Sequence, residues 1–324
     1  MVWTEISNGN LPDADEVMNN FRLSATALIN EVADRSVSFD FSSDQASTKT
    51  NLTYDTDENY YYGSNASVVL EMPGQAGGNF DKKYNMAFLK FQYDIYTIYD
   101  ECDDSSFDTT KFTGSANETE TSDYCQASDN TANVNLDADN NSNGWSGDKK
   151  FMFKAYWSVS GSSGAGNYYL YLLGTTSGQV TLKSYTGVGN PSSQTHSFEV
   201  WVDDTNKLAT VYIDGVFSSV VDISSLSGNY YFRLQSSWPG GGDTVTCRYY
   251  YFRIKQGDET TTVTESFSAD NGNNYTIATN SIAYINTSAQ QKYATRIKLT
   301  STVASDEIII IKNCHYIPLT AGDN

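Results

Sequence analysis

Alternating carboxylates and amides mark the first place where chemistry could occur. Residues 137–148 read DADNNSNGWSGD, and Asp139, Asn141, Asn143 and Gly144 match the opening D-x-[DN]-x-[DN]-G of a calcium loop. Side-chain oxygens at every second position converge on a hard cation when a glycine lets the chain turn sharply. The twelfth position is Lys150 rather than glutamate, so Asp148 completes the set only if the loop folds differently from an EF-hand. Calcium is the single cofactor this pattern suggests; otherwise none is expected. The other reading is a solvated, Asn-rich loop.

A second candidate is aromatic. Trp145 and Trp238 lie in glycine-rich stretches, NGWSGD and SSWPGGGD, where a core role is not expected. An exposed indole face suits a pyranose ring, and Asp243 near Trp238 would bond sugar hydroxyls. Tyr clusters at 60–62, 168–171, 230–231 and 249–251 fall on strands, so half of each points outward. Those rings would line a glycan site or, more commonly, a subunit interface or core.

Catalytic constellations are weaker. Glu199, Trp201 and Asp203 share one strand face, but carboxylates four residues apart on a strand are separated by about 13 Å. A glycosidase pair needs roughly 5–9.5 Å. There is no G-x-S-x-G elbow, and the two histidines, His196 and His315, have no motif around them. The chain is expected not to be an enzyme. Cys102, Cys125, Cys247 and Cys314 include no CxxC spacing, so zinc is not expected. Cys102 and Cys125 bracket a polar stretch and are the pair expected to form a disulfide, with four free thiols as the alternative.

The elements that must carry these residues are mostly strands. From residue 36 onward the apolar pattern has period two, broken by turn signals such as 203–207 (DDTNK) and 239–243 (PGGGD). Strands are expected at 150–159, 168–173, 180–185, 197–202, 209–213, 230–235 and 244–254. Many short strands without intervening helices define a sandwich or barrel. Residues 100–148 read as a long polar insertion loop. The run Ile308–Ile311 is too apolar for an open edge and belongs in a central strand or an interface. The exception to the strand pattern is residues 11–35. Leu11, Ala14, Met18, Phe21, Ala25, Leu28 and Val32 recur at alternating spacings of three and four, a heptad seam behind the N-cap residue Asp13. It predicts a helix that packs on its own domain or joins subunits.

With 20 Lys+Arg against 39 Asp+Glu, the net charge is −19. That excludes nucleic acid as the main partner, which needs a basic surface. It also disfavours anionic membranes, and no apolar run is long enough to insert in one. The N-terminus, MVWTEISNGNLPDADEVMNNF, has neither the basic nor the apolar region of a Sec signal. A strand-rich, hydroxyl-rich extracellular-type surface without an export signal is expected of a protein released by virion assembly, so a virion or extracellular location is predicted.

The segment HSFEVWVDDTNKLATVYIDGVFSSVVDIS, residues 196–224, resembles the concanavalin A-like and laminin-G jelly-roll domains. There a v-x-v-D…v-x-v-D-G hairpin sits in the second half of the domain, and the strand 245–254 is similar to the last one. The resemblance implies fold more than activity. Hydrolases of that class carry an E-x-D-x-x-E strand, which this chain lacks. The N-terminal residues, with Trp3-Thr4, Ile6 and Gly9-Asn10-Leu11-Pro12-Asp13, resemble the start of tailed-phage fibre and virion appendage proteins, where such a segment anchors or trimerises.

The expected architecture is therefore all-β: a concanavalin A-like jelly-roll sandwich with an N-terminal α-helix and a small C-terminal β-domain. The expected boundaries are 1–35 for the anchoring segment, 36–258 for the sandwich and 259–324 for the C-terminal unit. The expected role is display and host-surface attachment by a tail-fibre-like homo-oligomer, a trimer, that binds a cell-surface glycan. The alternative is a self-assembling filament, tube or surface-layer subunit, and the third reading is a glycan-active hydrolase.

Overall fold

A computed structural model describes residues 36–75, 86–161, 164–189, 191–284 and 295–319. The helix expected over 11–35, with its seam from Leu11 to Val32, lies outside the described residues. Within them the chain is all strand and turn. The first strands are β1 (Val37–Phe39), β2 (Thr48–Thr50), β3 (Thr53–Asp55), β4 (Tyr60–Ser64), β5 (Ser67–Glu71) and β6 (Met86–Asp100). Next come β7 (Phe112–Gly114), β8 (Thr119–Glu120), β9 (Cys125–Asp129), β10 (Val134–Ala138), β11 (Lys149–Ser160) and β12 (Gly166–Gly174). Then follow β13 (Gln179–Val188), β14 (Ser192–Asp203), β15 (Leu208–Ile213), β16 (Val216–Asp222), β17 (Tyr230–Ser236) and β18 (Thr244–Lys255). The last are β19 (Thr262–Ser268), β20 (Thr276–Ile277), β21 (Ile282–Tyr284), β22 (Arg296–Thr302) and β23 (Glu307–Leu319).

These strands form two compact units whose limits differ from the expected ones. One contains Ile95–Thr261 together with Ala304–Ile309; the other takes the residues before 95, Thr262–Val303 and the residues after 309. The expected sandwich of 36–258 is thus corrected. Residues 36–94 do not complete it, because β2 and β5 pair with C-terminal strands in a five-stranded sheet of order β2-β5-β22-β19-β20. The expected small C-terminal unit is half of a larger one.

The unit built on Ile95–Thr261 is a two-layer sandwich. One layer runs β16-β15-β14-β11-β18, and β18 continues the ladder onto β9 through Val245–Tyr249 and onto the end of β6 through Phe252–Ile254. The other layer runs β13-β12-β17-β10-β7. Between them sits an aromatic core. Phe232 from the second layer meets Phe151 at 4.8 Å and Phe153 at 5.1 Å from the first. Phe153 and Phe252 stack at 5.2 Å with planes 8° apart. Strict alternation explains the layers: Phe198, Val200 and Val202 are buried, while Glu199 and Trp201 face outward.

Residues 100–148 are not an insertion loop. They supply β7 and β10 to one layer and β9 to the other. The apolar alternation is short, Val134, Leu136 and Ala138, and the tight turns between strands use left-handed residues such as Asn117, Asn140 and Asn141. Asparagine tolerates that conformation because its side chain bonds locally. The D-G hairpin expected at 214–215 does form. Asp214 and Gly215 both have positive φ, 50° and 74°, as a two-residue type I′ turn requires. Asp214 also accepts bonds from Ser197 N at 2.9 Å and pairs with His196 Nδ1 at 2.7 Å, locking the turn to β14. Ile308–Ile311 are fully buried in β23, consistent with a covered strand.

Candidate functional site

The outward face of the β13-β12-β17-β10-β7 layer gathers the densest set of polar and aromatic side chains. Each strand presents alternate residues there: Tyr169, Tyr171 and Leu173 from β12, Tyr231, Arg233 and Gln235 from β17, and Asn135 and Asp137 from β10. The ladder aligns them in rows. One row is Tyr169–Gln235–Asn135; the next is Tyr171–Arg233–Asp137–Thr113.

Each row is internally bonded. Arg233 donates from Nε to Asp137 Oδ1 at 2.8 Å and from Nη2 to Oδ2 at 2.7 Å, a two-pronged pair that fixes both planes. Gln235 Nε2 donates to Asn135 Oδ1 at 2.8 Å. Tyr169 and Tyr171 stack at 5.3 Å with planes 12° apart. Thr113 Oγ1 donates to Asp139 Oδ2 at 2.9 Å, whereas Asp139 Oδ1 is buried and accepts no hydrogen bond among the described residues. Burial pushes the Asp137 carboxyl up despite the opposing bonds from Arg233, and the nearby Asp139 charge adds to the rise. Burial likewise raises the Tyr171 and Tyr231 phenols. The half-buried members of this face are Tyr169, Tyr231, Arg233, Gln235 and Asn135, and the buried Asp137 carboxylate holds Arg233 in place.

The structure moves the residues picked from sequence. Trp145 is not an exposed platform: it is 6% exposed, stacked on Phe252 at 5.4 Å, with Tyr99 edge-on at 5.2 Å. Its loop is pulled in by a bridge, Trp145 N to Tyr230 O and back, each 2.8 Å. Asp243 is buried too, its carboxylate packed where a Cβ on Gly161 would fall, so it cannot face a sugar beside Trp238. Trp238 is half-buried against the core, and its indole N–H is spent on Asp243 O at 2.9 Å.

The calcium candidates are dispersed. Asp139 is buried against Thr113, while Asn141 and Asn143 are exposed on a turn in which Asn140, Asn141, Ser142 and Gly144 all have positive φ. Asp148 instead accepts from Asp204 N at 2.8 Å, capping the turn after β14. The sequence match to an EF-hand opening thus becomes a tight left-handed turn. Cys102 and Cys125, the pair expected to bridge, lie side by side with their sulfurs within 4.8 Å and unbonded, and both are buried, as are Cys247 and Cys314.

A second outward face lies on the other layer. Trp201, 45% exposed, neighbours Tyr212 at 5.8 Å, and Tyr212 neighbours Phe217 at 5.9 Å. Lys150 lies 4.7 Å from the Trp201 ring and 3.1 Å from Glu199, to which Trp201 Nε1 donates at 2.9 Å.

This unit is an all-β sandwich. No protein-family model matches the chain, and no curated protein matches its sequence. Solved structures similar to it include a sialidase at 8% identity and TM-score 0.36, aligned over 63% of this chain but only 22% of that one. The carbohydrate recognition domain of Emp47p aligns at 10% identity over 49% of this chain and 94% of its own, TM-score 0.34. An endo-1,3-beta-glucanase from Streptomyces sioyaensis aligns at 11% identity over 52% and 96%, TM-score 0.35.

Proposed function

We propose that this chain is a non-enzymatic display and attachment protein that binds a cell-surface glycan on the outer face of the β13-β12-β17-β10-β7 layer. The observation that carries the reading is the paired rows. Half-buried Tyr169, backed by the buried Tyr171 on which it stacks, offers a ring face for pyranose C–H groups, and Gln235 and Asn135, fixed by one another, and Arg233, fixed by Asp137, offer planar donors and acceptors. Prefixed partners lower the ordering cost of binding. The virion context is supported by the appendage-like N-terminal residues and the heptad seam.

Hydrolysis is the reading to weigh against it. Asp137 on β10 and Asp139 just past its end are two residues apart, about 7 Å, which is glycosidase spacing. Yet both Asp137 oxygens are held by Arg233, so neither is free to transfer a proton. The assembly reading has its own observation: Phe217 and Val220 on the edge strand β16 are each more than half exposed, on the same face as Trp201. Such a face suits contact with copies of the chain.

A glycan-binding screen on the intact chain tests the proposal. Binding should be lost in Tyr169→Ala and Gln235→Ala at unchanged Tm, kept in Trp201→Ala, and unaffected by chelator. No glycan bound by the unsubstituted protein would move the weight to assembly. Reducing-sugar release that vanishes in Asp139→Asn would establish a hydrolase.

A further inference from the structure

A thiol and carboxylate cluster lies away from both outward faces. Cys102 Sγ, Cys125 Sγ and a carboxylate oxygen of Asp100 all fall within 4.8 Å of one another. Glu120 joins them: it pairs directly with Cys125 in the β8–β9 ladder and its Oε2 lies 3.0 Å from Cys125 Sγ. Both thiols are fully buried.

We propose that Asp100, Cys102, Glu120 and Cys125 form a structural site for a thiophilic divalent cation, of which zinc is the type. Three donors, two sulfurs and one oxygen, already lie within 4.8 Å of one another, and Glu120 Oε2, 3.0 Å from Cys125 Sγ, is placed to swing in as the fourth that tetrahedral coordination needs. Thiolate donors select zinc, cadmium or cobalt over calcium and magnesium. The surroundings hold the donors in place. Asp100 accepts from Cys102 N at 2.7 Å, which fixes Cys102 in a left-handed backbone, φ 50°. Lys111 Nζ bonds the other Asp100 oxygen at 3.0 Å, and Asp104 N donates to Glu120 Oε1 at 3.3 Å. Such outer contacts orient the oxygens that bind metal. Without a cation, two buried thiols beside two carboxylates stay protonated; binding would release both thiol protons to solvent while the cation takes their place. The lysine supplies one further positive charge. The gain would be to staple residues 100–125 onto β9, and through the β9–β18 ladder onto the sandwich.

The test uses the full chain, purified under reductant and then freed of it. Addition of cobalt(II) should give one equivalent of a thiolate-to-cobalt band with tetrahedral ligand-field absorption, displaced by zinc, and zinc should raise Tm. Cys102→Ser and Cys125→Ser should each abolish the band, whereas Cys314→Ser keeps it. Glu120→Gln should keep the band and weaken binding. A reduced, folded protein that gives no cobalt band and no zinc-dependent Tm shift overturns the proposal. So does an intact mass lower by two hydrogens in protein isolated without reductant, mapped to a Cys102–Cys125 bridge, since the donors are then spent on each other.

Discussion

Single residues carry the clearest energetic commitments. The Arg233–Asp137 pair is mostly out of water, with side chains 25% and 10% exposed. Removing one partner strands the other, so Arg233→Met should cost about 3 kcal/mol in urea unfolding. Replacing both, Asp137→Leu with Arg233→Met, should recover much of that loss; equal loss in the double variant would deny the pairing. Gly144 is a second commitment. At φ 60° a Cβ would lie 2.6 Å from Tyr230 O, the carbonyl that anchors Trp145. Gly144→Ala should therefore destabilise by about 1–3 kcal/mol, more than Gly147→Ala, whose Cβ would meet nothing. A Gly144→Ala protein as stable as Gly147→Ala would contradict this packing.

At the scale of elements, β10 is the test of the former loop. Leu136 is fully buried in the core of the sandwich, so Leu136→Ala should cost about 2–5 kcal/mol by denaturant midpoint, an effect a surface loop would not show. Why β10 was not legible follows from its length. Three apolar residues alternating with Asn135 and Asp137 look like a solvated loop until Arg233 and Gln235 are known to sit opposite. By contrast, β11, β14, β15 and β18 were legible because each alternates over six or more residues, and the 214–215 hairpin because only Asp-Gly-type pairs fit its turn. Trp145 misled because glycines beside an indole suggest exposure, whereas here they provide the turn that folds the ring inward. The candidate face on the β13-β12-β17-β10-β7 layer was invisible for a different reason. Its members, near residues 135, 169 and 235, are each ordinary outward strand positions, and only the non-sequential order β12-β17-β10 makes them neighbours.

At the scale of the whole molecule, charge governs the response to solvent. The net −19 repels itself, so Tm at neutral pH should rise from low salt to about 0.15 M, where charges beyond roughly 8 Å are screened. A flat Tm would mean the charges are already compensated locally. Acid acts through particular turns. Thr110 bonds hold the Asp108 carboxyl below the usual range, Asn206 does so for Asp203, and Ser224 for Asp222. A depressed carboxylate stabilises the fold above its unfolded pKa and loses that contribution as pH falls through its folded one. Burial raises Glu120, Asp137 and Glu265, which work in the opposite sense and gain as pH falls. The depressed set is larger, so stability should decline steeply below about pH 4, read as Tm against pH. A Tm that keeps rising below that point would show the raised carboxylates dominating.

β23 has a bearing on how the protein is made. Its first residues, up to Ile309, belong to the unit built on Ile95–Thr261, and the remainder belongs to the other. A ribosome adding about 10 residues per second reaches residue 309 roughly 20 s after residue 95 has been placed. Throughout that interval both units lack a strand whose Ile308–Ile311 stretch is buried when finished, and the nascent chain presents apolar edges to solvent. Synthesis, not the final free energy, then sets the period of greatest exposure to aggregation, and a chaperone that shields the growing chain would act most usefully before Ile308–Ile311 emerge.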